Sequence, residues 1–257
     1  MKLFIDSAKI EEIEEAYSWG VIEGVTTNPS LMKKAVSGKE TNLEDYIKKI
    51  LKVAGKTPVS LEVTTSDYNS MVKEGKTLYK KFHKFGNVYI KIPVNPAFCD
   101  DNSCKRNDFD GIRAIRTLTE EKIPINCTLI FSPEQALLAV KAGAKFVSPF
   151  VGREDDFIRE KAHIKFKKND SGISSGVDLI KKCKEIIIEN KLKSEVLAAS
   201  IRNPQQLREV ALAGADIATI PFEVLKKLIE HPKTIEGMKD FKRDIVLEYQ
   251  KISGVRK

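Results

Sequence analysis

SPEQALLAVKAGAKFV, residues 132–147, and NPQQLREVALAGADIA, residues 203–218, are two copies of one unit. Each opens on a helix N-cap residue, Ser132 or Asn203. Pro133 or Pro204 follows in the first turn, and Gln135 or Gln206 stands at the capping-box position. Each ends near a glycine, Gly143 or Gly214, suited to a helix C-terminus, and then enters an apolar run. A unit that leads from a strand end through a helix into the next strand builds a parallel sheet with crossover helices.

Outward from these copies the same rhythm fills the chain. Short apolar or β-branched runs occur at 3–6, 24–27, 59–63, 88–93, 123–131, 146–151, 196–201 and 217–222. Amphipathic stretches separate most of them, as where Ile10, Ile13, Ala16 and Tyr17 recur at helical spacing. Eight such runs predict an α/β fold closed into a (β/α)8 TIM barrel, with C-terminal helices from about Glu223. An open doubly wound sheet fits less well, since neither G-x-G-x-x-G nor G-x-x-x-x-G-K-[ST] occurs. The 257 residues suit one catalytic domain spanning 1–257. Polar stretches at about 95–110 and 153–176 interrupt the rhythm after the fourth and sixth strands and are expected as loops, or lids, on the catalytic face. Leu225, Leu228, Met238, Phe241, Ile245 and Leu247 form apolar helix faces that serve barrel closure or subunit contact equally well.

Composition narrows the function classes. No run reaches the roughly 18 apolar residues needed to cross a bilayer, and the N-terminus lacks a signal-peptide pattern, so a cytoplasmic chain with no membrane partner is expected. Cys99, Cys104, Cys127 and Cys183 show no CxxC spacing, and His83, His163 and His231 fall outside strand ends; neither disulfides nor a metal site is expected. The net charge of +8 comes from 44 basic residues mixed with 36 acidic ones, which reads as a solvated lysine-rich surface. Only KAHIKFKK, 161–168, invites a nucleic-acid reading, without the interleaved aromatics of an RNA-binding sheet, so no nucleic-acid partner is expected.

Strand alternation then selects the chemistry. In VYIKIPV, 88–94, Ile90 and Ile92 face the outer helices, while Tyr89, Lys91 and Pro93 face the barrel interior. A desolvated lysine can attack a carbonyl as its neutral amine, although an isolated lysine is more often half of a structural ion pair. The same phase turns Asp6, Glu62, Asn126, Thr128, Ser148, Ser200 and Arg202 inward near the strands' C-terminal ends. Barrels filled for stability use Val, Ile and Leu in those layers, so a polar set from so many strands points to a site. Asp6 and Glu62 suit proton transfer and water activation, or simply balance the charge of Lys91. Arg153, Ser200 and Arg202 suit a phosphate dianion, though either arginine alone is more often half of a surface ion pair.

These residues stand in motifs whose order resembles the short transaldolases and fructose-6-phosphate aldolases. FIDSA from Phe4, GVTTNPSL from Gly24, the Glu-Val pair at Glu62, KIPV from Lys91, INCTLIFS from Ile125, VSPFVGR from Val147, AASIRN from Ala198 and DIATIPF from Asp216 cover nearly the whole chain. The resemblance implies a Schiff base on Lys91, a hydroxyl proton handled by Asp6, and a water positioned by Glu62 with Thr128. It assigns Asn28 and Asn126 to a bound dihydroxyacetone fragment, Ser148 and Ser200 to the site lining, and Arg153 and Arg202 to substrate phosphate. It implies sugar phosphate substrates, no cofactor, and a ring-shaped homo-oligomer, pentameric or decameric. Glu62 and Phe150 stand where the aldolases carry Gln and Tyr, which favours transfer over simple aldol cleavage. The stretches after KIPV and VGR are longer than the family's usual connections, and could shape acceptor choice, form a lid, mediate subunit contact or be tolerated surface insertions.

Overall fold

Strands β1 (Lys2–Asp6), β2 (Val25–Thr26), β3 (Pro58–Glu62), β4 (Asn87–Pro93), β5 (Ile125–Ile130), β6 (Phe146–Pro149), β7 (Glu195–Ala198) and β8 (Ile217–Ile220) pair in sequence order. All pairs are parallel, and β8 returns to β1 through Lys2–Ile217 to Ile5–Ile220, closing a barrel. The computed structural model describes residues 1–38, 42–95, 109–162, 175–246, 249 and 252–254. Helices α1 (Ile10–Ser18), α2 (Pro29–Val36), α3 (Leu43–Ala54), α4 (Tyr68–Phe82), α5 (Asp110–Glu120), α6 (Pro133–Lys141), α7 (Val151–Ala162), α8 (Gly176–Glu189), α9 (Pro204–Leu212) and α10 (Phe222–Lys227) alternate with the strands, and α11 (Pro232–Arg243) follows. This is the (β/α)8 architecture that the repeated unit predicts. By its internal contacts the chain divides into a barrel unit, Met1–Leu225, and a C-terminal unit, Lys226–Lys257, whose α11 has no buried residue.

The two copies of the repeat fold alike. Ser132 caps α6 in a complete capping box with Gln135, and Asn203 caps α9 by accepting from the Gln206 backbone N–H at 2.8 Å. Gly143 and Gly214 adopt left-handed φ values of 105° and 86°, the conformation that ends a helix with little strain only at glycine.

The barrel interior is layered. Phe4, Tyr89, Phe146, Leu197 and Ile217 pack together, with Tyr89 stacked on Phe146 at 4.4 Å. Two residues further along β1, β4, β6 and β8 stand Asp6, Lys91, Ser148 and Thr219. Period-2 alternation thus puts an apolar plug beneath a polar layer. Ile90 faces outward: a Cβ on Gly75 of α4 would lie 3.3 Å from its side chain, so the glycine admits close packing of helix on strand.

Several expected boundaries shift. The runs at 123–131, 196–201 and 217–222 outlast their ladders, because apolar burial continues past the last paired residue. Ser200, with φ 61°, has already left the β region, and Leu129, with φ 58°, marks a register shift in β5. The expected loop at 153–176 is corrected as well: α7 continues to Ala162. VGREDDFIREKA holds good helix formers, but among its described side chains the buried residues are Val151, Gly152 and Glu154 along one edge, too narrow a stripe to announce a helix by periodicity. Residues 163–174, with His163 and most of KAHIKFKK, and residues 96–108, with Cys99, Cys104, Lys105 and Arg106, lie outside the described residues.

Candidate active site

The polar layer opens into a cavity of about 90 Å³ walled by Asp6, Asn28, Lys91, Asn126, Arg153 and Ser200, with Ser148 and Phe150 beside them. Parallel register brings these groups together, since Asp6 pairs with Thr26, Glu62 with Lys91 and Lys91 with Asn126 on adjacent strands. Brought by β4 into the barrel, the Lys91 ammonium lies 3.0 Å from Glu62 Oε2 and donates to the Thr27 carbonyl at 3.2 Å. Their side chains are only 7% and 12% exposed, so the pair is held away from bulk water.

Asp6 receives a hydrogen bond from Thr26 Oγ1 at 2.6 Å. Burial pushes its carboxyl above the ordinary carboxylate range. The Lys91 charge, the Thr26 bond and the Arg153 charge pull it back only in part. Asn126 is fixed on both sides: its Nδ2 donates to Ser60 Oγ at 3.1 Å, and its Oδ1 accepts from Ser148 Oγ at 2.6 Å. Thr128 is fully buried, and its hydroxyl has no hydrogen-bond partner among the described residues. Asn28 caps α2 through Oδ1, which accepts from the Leu31 N–H at 2.9 Å, leaving its amide N–H groups for the cavity that it lines.

Three of the expected residues stand apart from this wall. Glu62 lines a neighbouring, more apolar cavity with Thr27, Met32, Leu61 and Glu74, and reaches the site through Lys91. Thr128 is not among the residues that wall the described cavity. Arg202 is the clearest departure: it lies beyond β7, exposed, and both guanidinium N–H arms meet Asp156 of α7 at 2.5 and 2.6 Å. Strand phase cannot be extended that far, because the backbone turns at Ser200. Arg153 does line the cavity, its guanidinium 5.1 Å from the Phe150 ring centre.

Sequence reasoning missed Thr26 and Thr219, which both line the cavity. The signal was present: each falls at the inward phase of its strand, next to Asp6 across β2 or two residues beyond Ile217 in β8. Among the described residues, no group of three His, Cys, Asp or Glu side chains is placed to hold a metal ion. Cys127 and Cys183 are buried free thiols, and burial, the main cause, pushes Cys183 up to about 12.

The chain is similar to known proteins over nearly its whole length. A protein named "Probable transaldolase" from Desulfatibacillum aliphaticivorans is 46% identical over 245 residues, covering 95% of this chain and 97% of that one. Those of the same name from Thermoplasma acidophilum and Bacteroides thetaiotaomicron are 43% and 42% identical; they cover 95% and 99% of this chain, and 95% and 100% of their own lengths. Among solved structures, a mandelate oxidase variant with an FMN adduct superposes with a TM-score of 0.52 at 13% identity, over 86% of this chain and 64% of that one, a likeness of fold alone. Residues 3–255 match the family described as Transaldolase/Fructose-6-phosphate aldolase, and the chain belongs to that family.

Proposed function

We propose that this chain is a cytoplasmic transaldolase of the pentose phosphate pathway. It moves a dihydroxyacetone unit from a ketose phosphate, fructose 6-phosphate or sedoheptulose 7-phosphate, to an aldose phosphate through a Schiff base on Lys91. The observation that supports this most is the placement of Lys91: buried, 3.0 Å from Glu62, and in one cavity wall with Asp6, Asn28, Asn126 and Arg153. Glu62 is placed to take the proton that Lys91 must lose before its amine attacks the ketose carbonyl carbon. Loss of water then leaves an iminium. Asp6 accepts the C4 hydroxyl proton as the C3–C4 bond breaks, and an aldose phosphate departs.

The retained three-carbon enamine is held by Asn28 and Asn126, whose amides offer donors and acceptors to its hydroxyls. Its nucleophilic carbon attacks the acceptor aldehyde while Asp6 returns its proton to the new hydroxyl. Hydrolysis of the resulting iminium uses a water between Glu62 and Thr128, and the unpartnered buried Thr128 hydroxyl favours that role. Arg153 meets the substrate phosphate. Arg202 joins it only by exchanging Asp156 for phosphate. No cofactor is required by these steps.

Family members with aldolase activity release the fragment instead of transferring it. Glu62 and Phe150 favour transfer, because a carboxylate paired with Lys91 and a ring without a hydroxyl have no proton to give the enamine, whereas a tyrosine would. The distinguishing assay follows glyceraldehyde 3-phosphate released from fructose 6-phosphate over many turnovers. Sustained release only with erythrose 4-phosphate supports transaldolase, sustained release without it makes the enzyme an aldolase, and no release with either leaves a ligand-binding barrel.

We also propose that the chain self-associates. Ile235, Met238 and Phe241 lie at helical spacing on α11 and are 59%, 53% and 70% exposed, an apolar stripe of the kind that subunit contacts cover. A pentamer or decamer is what family likeness suggests. No helix among the described residues is long and apolar enough to cross a membrane, and neither membrane nor nucleic acid has a place in this reading.

A further inference from the structure

Asp6 is not isolated at the cavity wall. Its Oδ1 accepts from Thr26 Oγ1 at 2.6 Å, and Thr26 Oγ1 lies 2.6 Å from Thr219 Oγ1. Both threonines are buried, at 2% and 3% exposure, and they come from β2 and β8, the two strands flanking β1. Each hydroxyl has one proton. With Asp6 as the carboxylate, Thr26 spends its proton on it, so Thr219 donates to Thr26, and the chain runs Thr219 to Thr26 to Asp6. This direction leaves the other carboxylate oxygen of Asp6 without a fixed donor among the described residues. Reversing the chain would require a new acceptor for the Thr219 proton.

We propose that Thr219 is a positioning residue for Asp6: acting through Thr26, it fixes Oδ1 as a permanent acceptor and reserves Oδ2 for exchange of the substrate's hydroxyl proton. The proton leaves the C4 hydroxyl for Oδ2 as the carbon–carbon bond breaks and returns from Oδ2 as the new bond forms, so no other proton carrier is needed at this step. The inference rests on the transaldolase reading for its catalytic consequence, but the chain itself does not. The charged groups acting on Asp6 are Lys91 from β4 and Arg153 from α7, with Glu62 of β3 held on Lys91. These favour the carboxylate, as the hydroxyl chain does, against the burial that favours the acid.

The test uses the full chain and four threonine variants: Thr26→Val, Thr219→Val, and the hydroxyl-keeping Thr26→Ser and Thr219→Ser. The Asp6 carboxyl is titrated by carbon-13 NMR, with Asp6→Asn to assign the signal, and the pH profile of kcat is measured alongside. Thr26→Val should raise the Asp6 midpoint and the acid limb of kcat by about one pH unit, the effect of losing one hydrogen bond to a charged group. Thr219→Val should shift both by less in the same direction, with KM changed less than twofold because Thr219 acts through Asp6. The serine variants should titrate like the wild type. An unmoved Asp6 midpoint in Thr219→Val overturns the proposal, and so do serine variants that shift as far as the valines. The NMR titration needs no turnover, so a wild type that transfers nothing would refute the transaldolase reading while leaving the hydroxyl chain to be decided by its own result.

Discussion

At the scale of the residue, Asp6 shows how a site is kept at a cost to the fold. Its folded-state pKa is raised, chiefly by burial, so the folded protein binds the Asp6 proton more tightly than the unfolded chain does. The stabilising contribution of protonation is fully present below the unfolded carboxyl value and is lost as pH rises through the raised folded value. Above the unfolded carboxyl value Asp6 therefore opposes folding, and Asp6→Asn should melt higher than the wild type at neutral to alkaline pH, by about 2–4 °C for each kcal/mol relieved. The difference should close as pH falls below the unfolded carboxyl value, where Asp6 is protonated in both the folded and the unfolded chain. Thermal melts across that range check it, and an Asn variant less stable at high pH would mean that the attraction of Lys91 outweighs burial. Asp6 and Lys91 were legible because each sits at an inward phase within a strand. Arg202 was not, since its position depends on a turn at Ser200 and on a carboxylate, Asp156, from another loop-helix unit.

At the scale of the element, glycines record how closely helices and strands approach. Gly176 opens α8, and its N–H donates to Asp155 Oδ1 at 2.8 Å. A Cβ there would lie 2.2 Å from the Val151 carbonyl oxygen, against the backbone where α7 begins. Gly176→Ala must push α8 away from α7 and should cost about 2 kcal/mol or more, visible in urea denaturation. Gly237 in α11 supplies the contrast: no atom lies within 4 Å of its missing Cβ, so alanine there should stabilise that helix by about 0.5–1 kcal/mol. The repeat at 132–147 and 203–218 made such elements readable, because capping residues and a terminal glycine fix both helix ends. α7 escaped notice for the opposite reason: it buries too few residues to print a period on the sequence. Asp155 ties α7 to both α8 and α9, through Gly176 and through Gln206 Nε2 at 2.7 Å, contacts that no local pattern reveals.

At the scale of the whole molecule, a closed parallel barrel turns eight separate strand phases into one polar layer above one apolar plug. This explains why residues far apart in sequence, such as Thr26 and Thr219, can hydrogen-bond directly. The C-terminal unit is different, since α11 leaves its apolar stripe exposed within the single chain. Replacing Met238 and Phe241 with Glu should reduce the sedimentation coefficient to that of a smaller assembly, while a wild type already monomeric would show that the stripe has another use.

The central claim is that Lys91 bonds covalently to a ketose. Borohydride reduction in the presence of fructose 6-phosphate, followed by mass spectrometry of the digested chain, tests it most directly. The account predicts a dihydroxyacetone-derived adduct on the peptide containing Lys91, absent without sugar and absent in Lys91→Met. A trapped adduct on another lysine, or turnover by Lys91→Met at the wild-type rate, would contradict it.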